Sequence, residues 1–385
     1  MALTTVRPEG MGFNTGRRNL IINGAMQVAQ RGTSSTSLFF QTVDRFNNTA
    51  STDATITQSQ TALTSGDPYN DGFRNVYRHT VTSASSSPAS SHYLGIQAKI
   101  EAQNMANSGW QYASSSAYVT FSFWVKSSVA GTYSVGIRTL DGTAQGYSFD
   151  YTLSADTWKK VTHTIPGNSN ITINDDNGEG FRLAFWIYLG GDYTTSGHTD
   201  ESWAAFSTSS QTGDFAQNWM TTASATFDIT GVQLELGENA SDFEHRSFAE
   251  EWHSCQRYCT VYNIGGGNVH PENYILQHHS PPGKPGHVDV NNRGEWVLEW
   301  PVKRAAPTLT FTDGTNMRWG VGNNGVINAS ANPAMSVGTS PEGGTVFQSV
   351  ASGITLGSSD VSGIICMWIK QSSGNNPKIV IDAEL

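Results

Sequence analysis

The chain has 385 residues and a net charge of −10, and only 14% of its residues are charged, against roughly 25% in a typical soluble domain. That length predicts two or three folded units, and the lack of clustered Lys and Arg argues against a nucleic-acid binder or docking on anionic lipid. No apolar run approaches the roughly 20 residues needed to cross a bilayer, residues 1–19 lack the apolar block of a secretory signal, and Cys255, Cys259 and Cys366 are too few for a disulfide framework. The expectation is a soluble protein made in a cytoplasm, with reduced thiols and no membrane insertion.

Residues 1–18 carry Gly and Pro punctuation and few apolar side chains, which predicts an extended arm. From 19 to 246 the texture is that of an antiparallel β-protein, with short alternating runs between Gly, Asn, Asp and Ser clusters. In 118–126 the apolar face is Val119, Phe121, Phe123 and Val125; in 181–189 it is Phe181, Leu183, Phe185, Ile187 and Leu189. Tyr147, Phe149, Tyr151 and Leu153 supply another such row. In 227–236 the apolar parity switches from Phe227 and Ile229 to Val232, Leu234 and Leu236. A β-bulge near Gly231 would restore the register.

Residues 247–263 break this pattern. Phe248, Trp252, Cys255, Cys259 and Tyr262 are spaced by 4, 3, 4 and 3, which predicts an amphipathic helix with a coiled-coil seam. Ser247 and Glu250 have capping-box spacing, and Gly265, Gly266 and Gly267 would stop the helix from continuing. Such a helix either packs on its own sandwich or meets its copies around an oligomer axis. Residues 264–385 return to strands, with a Pro-rich loop near Pro281, Pro282 and Pro285. A hairpin loop is predicted over 372–377.

Several positions could carry chemistry. The outward series of the two best-defined strands is Tyr118, Thr120, Ser122, Trp124 and Lys126 in one, and Arg182, Ala184, Trp186 and Tyr188 in the other. Aromatics exposed on a sheet suit sugar rings, whose C–H faces stack on π-surfaces while their hydroxyls seek amides and charges. The alternative is that Trp124 and Trp186 pack beneath a loop or another subunit. Trp110, Trp203 and Trp219 lie in loop-like surroundings, where each could be a rim contact of a binding site, with packing the default reading. Asp175, Asp176, Asn177 and Glu179 place oxygen ligands around a glycine turn, the chemistry of a calcium site, though a solvated turn has the same composition. His278, His279 and His287 fit no regular element that would converge on a metal. None of the common hydrolase or phosphate-loop motifs is present. Paired carboxylates brought together by the fold remain open.

Five short segments carry a resemblance: NLIINGAMQVAQRGT at 19–33, VDRF at 43–46, ITGVQLELG at 229–237, CQRY at 255–258 and RAAPTL at 304–309. In this order they resemble bacteriophage tail-fibre and receptor-binding proteins that carry a jelly-roll domain like a carbohydrate-binding module. The resemblance implies a mainly β chain: an arm at 1–18 for virion attachment, a sugar-binding β-sandwich at 19–246, a helix at 247–263 and a second antiparallel β-domain at 264–385. It also implies a non-catalytic virion structural protein of the tail, assembled in the host cytoplasm as a homo-oligomer, commonly a homotrimer. Its partners would be other tail proteins and host surface polysaccharide. Related modules often place acidic calcium ligands after an opening Asn-Gly pair; here Asn23-Gly24 is followed by Ala25, Met26 and Gln27, and only Asp228 matches the later aspartate. A purely structural tail or head component, or a polysaccharide depolymerase, are the alternatives.

Overall fold

The computed structural model describes residues 18–263, 293–298, 300–312, 317–321, 325–327, 334–337, 345–350, 365–369 and 378–385. The arm at 1–17, the three glycines at 265–267, the histidines at 278, 279 and 287 and the loop at 372–377 lie outside the described residues. Two compact units divide between Cys255 and Gln256.

In the first unit the strands are β1 (Ser34–Ser35), β2 (Phe46–Ser51), β3 (Thr55–Ala62), β4 (Asn75–Ser83), β5 (Tyr93–Glu101), β6 (Tyr118–Ser127), β7 (Gly131–Thr139), β8 (Gln145–Leu153), β9 (Lys159–Pro166), β10 (Glu179–Leu189), β11 (Ala204–Ala205) and β12 (Thr226–Leu236). Short helices α1 (Asp67–Asn70) and α2 (Ala102–Ala106) sit in connections, and α3 (Phe248–Gln256) follows the last strand. Two six-stranded antiparallel sheets form, ordered β1-β3-β4-β12-β6-β9 and β11-β8-β7-β10-β5-β2. The chain passes repeatedly from one sheet to the other, so this is the expected jelly-roll sandwich with a short helix.

The predicted alternation fills the space between the sheets. Phe121 and Phe123 of one sheet meet Phe185 of the other at ring-centre distances of 5.6 and 4.9 Å. Tyr133 meets Phe227 at 5.4 Å. Trp110 and Trp219 are buried and donate their indole N–H to the carbonyls of Ala117 and Thr226, so both pack. The parity switch in β12 is resolved as predicted: its pairing with β6 shifts register between Thr230 and Gln233, with Gly231 at φ 63°. A side chain at Gly231 would stand 2.7 Å from the Phe73 ring.

The segment 19–33 is a clasp on that bulged strand. The Asn19 side chain donates to Val232 O (3.0 Å) and accepts from Leu234 N (3.1 Å). Asn23, at φ 62°, donates to the carbonyls of Val28 and Asp44 and accepts from Val28 N, each at 2.9 Å. Gly24 rests so tightly on the Val232 carbonyl that no Cβ fits. Asp44 in turn accepts from Gln30 N (3.0 Å) and Gln30 Nε2 (2.5 Å). Each of these buried polar groups is thereby satisfied, which is the condition for burying it at all.

Helix α3 is shorter than its spacing predicts. Its N-terminus has the expected capping box: Ser247 N donates to Glu250 Oε2 (2.8 Å) and Glu250 N to Ser247 Oγ (3.3 Å). It ends at Gln256, and Cys259 and Tyr262 lie instead on strand β13 (Cys259–Asn263) of the second unit. The reason is that Tyr258 to Tyr262 contains Thr260, Val261 and two tyrosines, residues that favour a pleated strand once a partner strand is present. The five-residue seam on one helix is therefore corrected to a pair: Phe248 is 55% exposed and meets Trp252 at a tilt, with ring centres 5.7 Å apart, while Cys255 is buried. Glu251 holds the other side of α3 to the sandwich, accepting from Asn23 N at 2.6 Å and pairing with Arg246 at 3.2 Å.

The second unit is also antiparallel β. After β13 come β14 (Arg293–Leu298), β15 (Thr308–Thr312), β16 (Met317–Val321), β17 (Gly325–Ile327), β18 (Ala334–Val337), β19 (Thr345–Val350), β20 (Ile365–Ile369) and β21 (Lys378–Asp382). Among the described residues they form three-stranded sheets β13-β21-β15, β14-β19-β18 and β17-β16-β20.

Candidate glycan-binding groove

The outer face of the β11-β8-β7-β10-β5-β2 sheet is where polar and aromatic side chains converge. Strand register sets three parallel rows across it. The first is Lys99, Arg182, Arg138 and Gly146; the second is Asn47, Gln97, Ala184, Gly136 and Ser148; the third is Thr49, Gly95, Trp186, Ser134 and Asp150. Each of these positions alternates with an inward core residue, which is why they share a face.

The Trp186 indole lies flat on this face over bare backbone. A Cβ at Gly95 or at Gly136 would approach its ring to 2.6 Å. Trp186 is 6% exposed and packs with Ala184 and Leu189, flanked by Tyr93, Tyr193 and Phe215. Tyr93 meets it edge-on at 6.3 Å and meets Tyr193 edge-on at 5.3 Å. Trp186 therefore forms a floor. The rings open to solvent around it are those of Tyr93, Tyr193 and Phe206, which are half-buried, and Phe39, which is 61% exposed.

Above this floor is a groove of about 730 Å³ walled by the loop that follows β10. That loop is pinned to the sheet: His198 Nε2 lies 2.6 Å from Ser148 Oγ, Ser148 Oγ donates to Asp200 Oδ1 at 2.5 Å, and His198 Nδ1 lies 3.1 Å from Ser210 Oγ. Ser148 is fully buried. The acid thus meets the serine rather than the far nitrogen of the imidazole, and the cluster acts as a tether.

Two groove residues carry buried polar atoms without a protein partner, Asn47 Oδ1 and Arg138 Nε. At the basic end, Arg182 is held by Glu179 through two hydrogen bonds (2.5 and 2.8 Å), and Lys99 pairs with the same carboxylate at 3.6 Å. Burial pushes the Lys99 amine below its ordinary range against the pull of Glu179. Burial, and behind it the neighbouring Arg182, also push Arg138 down. The Arg138 guanidinium lies 3.9 Å from the centre of the Phe206 ring.

Of the predicted sugar-binding residues, Arg182 and Trp186 line the groove. Tyr118 and Trp124 project from β6 on the outer face of the opposite sheet, so they share no site with Trp186. There Trp124 Nε1 donates to Asp71 Oδ2 (3.2 Å), and Lys126 pairs with Asp228 (3.7 Å) while its amine sits over the Trp158 ring. Tyr188 is corrected: a register shift between Trp186 and Tyr188 pairs Tyr188 with the core residue Leu94, turning it toward the interior and sending Leu189 outward. Asn47, Tyr93, Gln97, Arg138, Tyr193 and Phe206 were not anticipated. Their signal was available in part, since Asn47 and Gln97 are amides flanked by inward-facing residues.

The acidic turn does not gather around a point. Asp175 accepts from Asn107 Nδ2 (2.8 Å), Asp176 from Gly178 N (2.8 Å), and Glu179 faces Arg182 and Lys99. Asp228 is bound by Arg78 through two hydrogen bonds, at 2.7 and 2.8 Å. Among the described residues, no group of three or more His, Cys, Asp or Glu is arranged to hold a metal ion.

No protein-family model matches the chain, and no curated protein matches it. Among solved structures it is similar to the enzymatically active domain of tailspike protein 4 from bacteriophage CBA120, at 12% identity and a TM-score of 0.31. That match covers 57% of this chain and 22% of the other. The family 11 carbohydrate-binding module of a Clostridium thermocellum cellulase matches at 13% and 0.26, covering 56% of this chain and 98% of the module. A cyclase from Fischerella matches at 10% and 0.34, covering 57% and 98%.

Proposed function

We propose that this chain is a non-catalytic glycan-binding protein that serves as a receptor-binding component of a bacteriophage tail, attaching to host surface polysaccharide through the groove. The observation that carries the reading is the unpartnered Asn47 Oδ1, buried beside Gln97 in a groove rimmed by Tyr93, Tyr193 and Phe206. A sugar ring supplies what such a groove lacks: a C–H face for the aromatics and a hydroxyl donor for the amide oxygen. The segments at 19–33, 43–46 and 229–237 support the phage assignment through their resemblance to tail proteins.

A single such site binds weakly. A homotrimer, joined in part through the exposed Phe248 and the half-buried Trp252 beside it, multiplies weak contacts through effective concentration. The residues at 1–18 would anchor it to the virion.

Affinity electrophoresis of the full chain through gels holding capsular and lipopolysaccharide preparations tests the reading. Asn47→Ala and Tyr193→Ala should abolish retardation, and Trp124→Ala, on the opposite face, should leave it intact. Undiminished retardation of the first two rejects the groove as the site. Shortened polysaccharide chains after incubation would replace simple binding by depolymerisation.

A further inference from the structure

The groove is basic in an acidic protein. The chain carries 32 acidic residues against 22 basic ones, yet the groove lining contains Lys99, Arg138 and Arg182 and, among the described residues, no aspartate or glutamate. Glu179 stands behind this row and engages Lys99 and Arg182. Arg138 has no carboxylate within ion-pair distance among the described residues, its Nε is buried without a partner, and Phe206 presses on one face of the guanidinium. Placing a guanidinium in a crowded basic row, partly out of water, costs free energy that an anion in the groove would recover.

We infer that the groove takes an acidic saccharide, with a ring carboxylate such as that of a uronic acid seated against Arg138 while the sugar stacks on the aromatic rim. This rests on the glycan-binding reading above and narrows it to a substrate class. A carboxylate matches the planar donor fork of Arg138, and Phe206 holds that fork in a fixed plane. Asn47 and Gln97, in the next row, then face the hydroxyls of the same or the adjoining ring.

The test is affinity electrophoresis of the full chain against polygalacturonate, alginate, hyaluronan and polysialic acid, each beside its carboxyl-reduced neutral counterpart, with dextran sulfate as a further arm. At least one acidic chain should retard the protein, and carboxyl reduction should weaken that binding about tenfold or more. Arg138→Gln should weaken binding of the acidic form about tenfold or more and remove the difference between the acidic and reduced forms. Equal binding of acidic and reduced chains, or retention by neutral glycans alone, overturns the acidic class and leaves glycan binding standing. Retention by dextran sulfate alone overturns the carboxylate assignment. Retention by nothing in the panel, capsular preparations included, overturns both readings.

Discussion

Trp186 lies over Gly136 so closely that a methyl group there would stand 2.6 Å from the indole nitrogen. The contact joins two neighbouring strands and fixes the height of the groove floor. Gly136→Ala should therefore lift the ring toward Tyr93 and Tyr193, destabilise the fold by about 1–3 kcal/mol through overpacking, and weaken glycan retention. Intrinsic tryptophan fluorescence and urea unfolding would register the two effects together. A variant with unaltered fluorescence and midpoint would show that the floor yields freely.

Asn23→Ala removes three hydrogen bonds and puts alanine at φ 62°. It leaves the carbonyls of Val28 and Asp44 and the Val28 amide to find other partners inside the protein. A loss of about 2–4 kcal/mol is expected from the unsatisfied groups and the backbone strain. Differential scanning calorimetry would show it as a lowered transition.

His79 is fully buried, 3.0 Å from Asn48 Oδ1 through Nε2, and its Nδ1 has no partner. Burial pushes its pKa down to about 3 from 6.5. The unfolded chain takes up a proton below about pH 6.5 and the folded chain does not until about pH 3. Stability from this group is therefore complete above pH 6.5 and declines on acidification, by about 1.4 kcal/mol per pH unit across the middle of that window. His163 is shifted in the same direction, also by burial. Urea midpoints measured from pH 7.5 to 4 should fall more gently in His79→Gln than in the parent protein. Parallel slopes would show that His79 does not contribute.

On α3 the exposed Phe248 lies against the half-buried Trp252. If they join copies of the chain, Phe248→Ser with Trp252→Ser should shift the sedimenting species from an assembly to a single chain, with glycan binding per chain preserved. An assembly of unchanged mass would remove this patch from the contact.

The sandwich was legible because alternation with period two is strong where one face is buried, as in Val119 to Val125 and Phe181 to Phe185. The bulge at Gly231 was legible for the same reason, as a break in parity followed by a glycine. The bulge before Tyr188 was not, because Ile187, Tyr188 and Leu189 are all bulky and largely apolar and so mark no parity. The groove was largely hidden. Asn47, Gln97, Arg138 and Trp186 come from four strands, and their adjacency depends on register, which sequence spacing alone does not give. Trp124 and Trp186 looked equivalent in sequence, and only sheet assignment separates them. The spacing from Phe248 to Tyr262 does not give one helix, because its second half fits a strand as well as a helix.

The clasp at Asn19, Asn23 and Gly24 grips the bulged strand of one sheet, while the groove occupies the outside of the other. Mutational drift can therefore rewrite the walls around Trp186 without disturbing the contacts that hold the bulged strand. Two proteins sharing the opening signature would be expected to share the sandwich and to differ freely in what lines the groove.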